Sequence, residues 1–283
     1  MARKKLTKSD YQERVNEVLY FIHSDISQPL HVKELSSLVS TSSFHFNRIF
    51  FQVMGEHLHE YIKRVRLESA ANLLLFNPDS TITQIARECG FASSATFTHA
   101  FKERFHLTPT KWREVDVDKD VHLRDIEPLH VKPKIVKISE KFVAYVRHKG
   151  YDRSIKKPWL KLLDWAEKNG IDTSTSMIGL HHSNPRFVQK EKCHYVACLE
   201  LKEPAFRSAD IGVMKIPSML CAVFRFEGVY GDLLRYMDSV YYKWLPYSEF
   251  EKVNLPSIAI YHKNHFIDED ERFVLDFCVP IRF

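Results

Sequence analysis

A chain of 283 residues is long for one ordinary globular domain and comfortable for two. With 45% hydrophobic and 27% charged residues it can bury real cores, which excludes global disorder, and no window approaches the roughly 18 uncharged apolar residues of a membrane-spanning helix. The net charge of +5 divides as 15 Lys+Arg against 12 Asp+Glu through Val115 and 26 against 24 beyond it, so only the placement of the cations can argue for a nucleic-acid partner.

The opening MARKKLTKSD has no apolar h-region or cleavage site, and the chain reads as cytoplasmic. The cysteines Cys89, Cys193, Cys198, Cys221 and Cys278 are odd in number, form no CxxC pair and interrupt apolar runs. That pattern suits reduced core thiols better than disulfides or zinc.

Residues 10–114 have helical periodicity almost throughout. Val32, Leu35 and Val39 give a short helix one apolar stripe, Ser40-Thr41 is a polar turn, and Ser42 or Ser43 caps a second helix. Along that helix Phe46, Ile49, Phe50 and Val53 face inward, while Ser43, Phe44, Asn47 and Arg48 fall on the outer side. An amide, a guanidinium and an aromatic ring at a helix start suit the edges of adenine and guanine and the methyl of thymine. His59–Phe76 makes one long helix that ends before Asn77-Pro78, a rigid spacer. The plan then repeats: Val32–Leu35 sets beside Ile82–Ile85, and Phe46, Arg48 and Phe50 beside Phe97, His99 and Phe101. Thr81–Gln84 is a capping box, Ile82, Ile85, Ala86 and Cys89 form the stripe, and Gly90 ends the helix. Its partner helix buries Phe97, Ala100 and Phe101 and turns Ser94, Ala95, Thr96, His99 and Lys102 outward. Two such helices on one spacer can enter successive major grooves about 34 Å apart, so a monomer can read a bipartite site. Lys63, Arg64, Lys102, Thr108 and Arg113 are candidate phosphate contacts.

The stretch 116–134 alternates charges, carries Pro128 and Pro133 and lacks an apolar face, so it reads as a linker. After it come short aromatic and β-branched runs, Phe142–Val146, Tyr195–Leu201, Leu220–Phe226 and Phe273–Val279, with helical stretches at Trp159–Lys168 and Tyr230–Trp244. This half also repeats: Val143–Gly150 sets beside Cys221–Gly228, and Ile178–Asn184 beside Ile258–Asn264. The expected fold is multi-domain: an all-α tandem helix-turn-helix domain (1–115), the linker, and an α+β domain (135–283) built as a duplicated strand-helix-strand-strand unit. The groove between two such copies is the natural concave site, and nine of the twelve tyrosines and three of the four tryptophans lie in this half.

Ile82–Glu114, with its Ile-Ala…Gly-Phe…Phe…Phe-Lys…Thr-Pro order, resembles the signature of the AraC family of bacterial transcription regulators, and the resemblance extends back to about Tyr11. It implies double-stranded promoter DNA and RNA polymerase as partners, with Phe44, Asn47 and Arg48 at base-reading positions of the first unit and Ser94, Ala95, Thr96 and His99 at those of the second. His106 stands where the family usually has Gly, and the second face is short-chained, so the first unit is expected to carry more specificity. KFVAYVRHKGYD, PWLKLLDWA and the run from Leu220 to Glu251 resemble the GyrI-like (gyrase-inhibitor-like) effector-binding domain. That resemblance implies a pocket for a small aromatic or cationic ligand, with Tyr151, Trp159, Tyr230, Trp244 and Tyr261 as lining candidates. The family's Glu two residues before the Tyr is here Ala259, so the pocket either takes neutral or anionic ligands, borrows Glu200, Glu227 or Asp276, or has lost sensing. His181-His182 and Cys193-His194 lack ligand spacing and are not read as a metal site. No nucleophile elbow, metal motif or phosphate loop is present, so neither enzyme activity nor a cofactor is expected, and no membrane contact. The alternatives are an effector-independent regulator whose second half binds a protein partner, and a second half with small-molecule hydrolase activity.

Overall fold

The computed structural model describes residues 7–114, 131–203 and 211–283. Most of the expected linker, 116–130, lies outside the described residues. The first half is helical because its punctuation is local and explicit. Thr7 and Asp10 form a reciprocal capping box that starts α1 (Lys8–Ser24), and α2 (Val32–Leu38) follows. Ser42 accepts the His45 N–H to open α3 (Ser43–Met54), which precedes α4 (Leu58–Phe76). The Thr81–Gln84 capping box opens α5 (Ile82–Glu88), as its sequence predicts. Gly90 follows it at φ +77°, and a Cβ there would meet the Ile26 carbonyl at 2.6 Å and the Arg66 guanidinium at 2.7 Å, so no other residue fits. Ser93 caps α6 (Ser94–Phe105), His106 ends it in the left-handed region at φ +61°, and Thr108 caps α7 (Pro109–Arg113).

Each helix-turn-helix unit has its own core. Val15, Leu19, Leu35, Phe46, Phe50 and Tyr61 build the first; Leu74, Ile85, Phe97 and Phe101, with Trp112 against them, build the second. Helix α4 supplies residues to both, which makes it the rigid spacer between them. The residues expected to face inward on α3, α5 and α6 do so.

The second half is one nine-stranded sheet. In chain order it contains β1 (Lys134–Ile138), β2 (Lys141–Lys149), α8 (Lys156–Lys168), β3 (Met177–His181), β4 (His194–Glu200), β5 (Gly212–Ile216), β6 (Met219–Val229), α9 (Asp232–Ser239), β7 (Glu251–Lys252), β8 (Ser257–Lys263) and β9 (Arg272–Arg282). The strands lie in the order β1-β6-β9-β8-β3-β4-β2-β5, antiparallel throughout, with β7 on β9. Strands β3 and β8 meet mid-sheet, Gly179 opposite Ala259 and His181 opposite Ser257. Alternation sends Tyr195, Phe224, Tyr261 and Phe277 to the face covered by α8 and α9, and Val143, Ile178, Val196 and Cys278 to the other. The four strands expected from the sequence fall on β2, β4, β6 and β9. The short strands β1, β5 and β7 were not expected. The helical stretch expected over Tyr230–Trp244 starts two residues later, because Gly231 sits at φ +102° ahead of α9, and from α9 it continues as a π-helical turn over Val240–Trp244. All five cysteines are buried free thiols.

The two halves are docked closely. Phe76, the last residue of α4, stacks on Tyr241 (centroids 5.2 Å) and meets Tyr242 edge-on at 5.6 Å inside the second half's core. Buried Asn77 accepts the Lys252 N–H and donates to the Lys252 carbonyl, both at 2.9 Å. Phe187, in the β3–β4 connection, lies 5.6 Å from Trp112 and 6.1 Å from Phe105. On the opposite face Tyr145 donates to the Asn16 carbonyl at 3.1 Å, and Tyr20 of α1 packs on the sheet.

Candidate nucleic-acid interface and effector groove

Helix α3 presents the expected face. Phe44 is 83% exposed, Arg48 is exposed with Nη2 3.2 Å from His45 Nδ1, and Asn47 is half-buried beside them. An exposed phenyl ring at a helix start loses apolar burial in water, and a base edge or thymine methyl would restore it. On α6, Ala95, Thr96, His99 and Lys102 are exposed. Ser43 and Ser94 are different: both are half-buried, with hydroxyls 3.1 Å from Ser36 and 2.9 Å from Thr83, so each fastens its recognition helix to the helix before it.

The candidate phosphate contacts divide as well. Lys102 is exposed, and Lys63 is paired with Glu103 at 2.7 Å. Thr108 Oγ1 accepts the Lys111 N–H as a cap. The Arg113 guanidinium donates to the Ser80 carbonyl at 2.6 Å and the Leu74 carbonyl at 3.4 Å, tying α7 to the end of α4. Arg64 lies between Glu56 (2.8 Å) and Glu68 (3.4 Å) on the side of α4 that faces the sheet.

In the second half, Tyr151, Trp159 and Tyr261 are buried and Tyr230 is half-buried, and they form one ring cluster. Trp159 meets Tyr261 edge-on at 5.8 Å, Tyr261 and Tyr230 both flank His265 at 5.9 Å, and Tyr151 reaches the group through Tyr195. Trp244 lies apart, packed on Phe224 and Phe250. Ala259 is fully buried where a carboxylate was missed. None of the three proposed substitutes reaches the groove, because strand alternation puts Glu200, Glu227 and Asp276 on the sheet's other face. There Glu200 pairs with Lys141 at 2.6 Å and Asp276 with Arg225 at 2.6 Å.

The polar group on the groove face is His181, two residues along β3 from Gly179 and so on the same side as Ala259. It is ringed by Tyr151, Tyr195 and Phe277 at 5.3–6.3 Å, and neither ring nitrogen has a hydrogen-bond partner. Burial pushes its pKa down to about 3. His181 also lines a cavity of about 80 Å³ between the halves, where it is joined by His182 and His194 from the sheet and His23 from α1. The paired letters His181-His182 and Cys193-His194 were the sequence's signal for this cluster, but His23 is remote in sequence and only the docking of α1 brings it in. Among the described residues no group of three His, Cys, Asp or Glu is arranged to hold a metal, and no helix is long and apolar enough to cross a membrane.

Residues 132–282 match the GyrI-like small molecule binding domain family, and residues 35–114 match a helix-turn-helix domain family. The probable transcription factor PqrA of Proteus vulgaris is 34% identical over 110 residues, which are 38% of this chain and 89% of that protein. An uncharacterized HTH-type transcriptional regulator of Staphylococcus aureus (strain COL) is 36% identical over 101 residues, 36% of this chain, and the match spans only 13% of that protein's length. A solved AraC-type transcriptional regulator from Chromobacterium violaceum is 26% identical, with a TM-score of 0.35, over 39% of this chain and 96% of that one. The chain belongs to the AraC-type helix-turn-helix transcription regulators and carries a C-terminal domain of the GyrI-like small molecule binding family.

Proposed function

We propose that the protein is a one-component, cytoplasmic, sequence-specific regulator: residues 1–115 bind promoter DNA through both recognition helices, and residues 135–283 bias that binding in response to a small molecule. The observation that carries this reading is the double role of α4, which holds both helix-turn-helix cores and inserts Phe76 into the second half's aromatic core. On this reading α3 is the main reader through Phe44, Asn47 and Arg48, and α6 contributes Ala95, Thr96, His99 and Lys102. Ser43, Ser94, Thr108 and Arg113 act by fixing the helices that contact DNA. We read β2-α8-β3-β4 and β6-α9-β8-β9 as two copies of one unit, with the effector groove between them and Tyr151, Trp159, Tyr230 and Tyr261 as its aromatic walls. Trp244 then serves as packing. On this reading the second half acts as a receptor and not as a catalyst. RNA polymerase is the partner through which bound promoter sites are read out.

Footprinting of the full chain on promoters, with and without planar cations, neutral aromatics and small organic acids at stated salt, tests the reading. A bounded footprint of about two helical turns that shifts with one compound class is expected. Binding that tracks only salt, with no bounded site, would refute it.

A further inference from the structure

The cavity between the halves is walled by α1 and α4 on one side and by β3, β4, α9 and the β7–β8 connection on the other. Its contents are unusually rich in hydrogen-bond donors. Four imidazoles, His23, His181, His182 and His194, line it with Arg64 and Lys252. Its two carboxylates are already committed: Glu68 to Arg64 and Arg104, and Asp238 to Arg186 at 2.7 Å. Of the imidazoles, only His23 has a partner within the cavity wall, the Tyr61 hydroxyl at 2.7 Å. His181 is buried with both ring nitrogens unpartnered. Burial, reinforced by Arg147 and Arg64, keeps His23 and His194 neutral. An unpartnered buried imidazole is costly, and the fold gains when something in the void that His181 lines pairs with it.

We propose that this interdomain cavity is the binding site for a small oxyanion, a carboxylate or phosphate of a few heavy atoms, held by His181, His182 and His194 with Arg64 and Lys252. The class follows from the walls. Arg64 and Lys252 are themselves paired, with Glu56 and Glu68 and with the Val253 and Leu255 carbonyls, but their charge disfavours a cation, whereas an anionic oxygen would be drawn to them and would meet the unpartnered imidazole of His181. The size follows from the 80 Å³, which is room for about five to eight water-sized groups. An occupant would touch α4 and the sheet together and so tie the spacer helix to the groove. The site deepens the effector reading, and rests on that reading for its consequence at DNA though not for the binding itself.

Isothermal titration of the full chain with sodium phosphate, sodium succinate, sodium benzoate and tetramethylammonium chloride, at matched ionic strength, tests it. At least one oxyanion should bind saturably with one site per chain, and the cation should not. His181→Leu and the more conservative His182→Gln, at the half-buried ring that packs on His23, should each weaken that binding by about tenfold or more, since a hydrogen bond to a charged group is lost. Phosphate binding alone would assign a phosphorylated ligand, and succinate or benzoate binding an organic acid. No saturable oxyanion binding, binding unchanged in both variants, or saturable binding of tetramethylammonium in place of every oxyanion would overturn the proposal. The same samples in a footprint separate the two readings: oxyanion binding that leaves the footprint unmoved keeps the site and removes its role as effector pocket.

Discussion

Replacing Phe76 by alanine probes whether the reading heads and the effector sheet form one cooperative body. The ring is 2% exposed, belongs to the spacer helix, and rests on Tyr241 and Tyr242 of the other half. Roughly 100 Å² of lost ring burial at about 25 cal/mol per Å² removes ~2.5 kcal/mol, and the cavity left among rigid aromatic neighbours raises the total to about 3–5 kcal/mol. Because the contact crosses the interface, the loss should also appear as uncoupling. Urea denaturation followed by tryptophan fluorescence reports both halves, with Trp112 in the first and Trp159, Trp165 and Trp244 in the second. The parent should unfold in one transition, and Phe76→Ala in two or in one broadened transition at a much lower midpoint. Phe44→Ala, at a site 83% exposed on α3, is the control and should cost under about 0.5 kcal/mol. A Phe76→Ala change below about 1 kcal/mol with the transition unaltered would mean that the halves are not docked through this contact.

Arg48→Ala should weaken binding to the selected site by about 1–3 kcal/mol and relax one base position in the binding-site logo, and an unchanged logo would remove Arg48 from base reading. His106→Gly should stabilise the chain by about 0.5–1 kcal/mol in thermal melts by relieving the left-handed φ of +61°, and a loss of stability would mean that the imidazole makes a compensating contact. His181 and His265 are buried and held down to about 3 and about 4, so the unfolded chain takes up protons near pH 6.5 that the folded chain refuses. Their contribution is therefore fully present above pH 6.5 and falls away toward pH 4, at up to about 1.4 kcal/mol per pH unit for each histidine. Denaturation midpoints at pH 7 and pH 5 should differ accordingly, and by less in His181→Leu; equal midpoints would show solvated imidazoles.

Legibility followed the range over which each feature is encoded. The capping box at Thr81–Gln84, the Gly90 stop and the 3.6-residue stripes of α3 and α6 are written within a few residues, and the structure reproduces them. The four long strands were visible because their cores are continuous apolar runs. Strands β1, β5 and β7 were not, because they are short edges whose residues carry no clean alternation. Ser43 and Ser94 were read as outward from helical spacing alone, while the structure half-buries both through hydroxyl partners on the preceding helices. The proposed replacement carboxylates illustrate the same limit. Glu200, Glu227 and Asp276 are near the groove in sequence terms, but a period of two decides the face, and all three lie on the wrong one. The interdomain cavity had no local signal, since its imidazoles come from positions 23, 181, 182 and 194.

The docking geometry also constrains how a ligand can act. A compound changes DNA affinity only by contacting two arrangements of the chain differently, so the relevant contacts are those that join a reading head to the sheet. The first head is joined through α1, by Asn16 to Tyr145 of β2 and by Tyr20 on the sheet's far face. The second is joined by Phe187 wedged against Trp112 and Phe105, and by Arg282 of β9 on Glu88 at 3.3 Å. The two heads therefore hang from different strands of one sheet, while α4 joins them directly. Any change in how β2 and β9 sit relative to each other has to be absorbed by α4 or passed to the angle between α3 and α6. Reading two half-sites about one helical turn apart tolerates little error in that angle. The cavity lies where α4 meets the mid-sheet pair β3 and β8, so an occupant there acts at the element that must take up the strain.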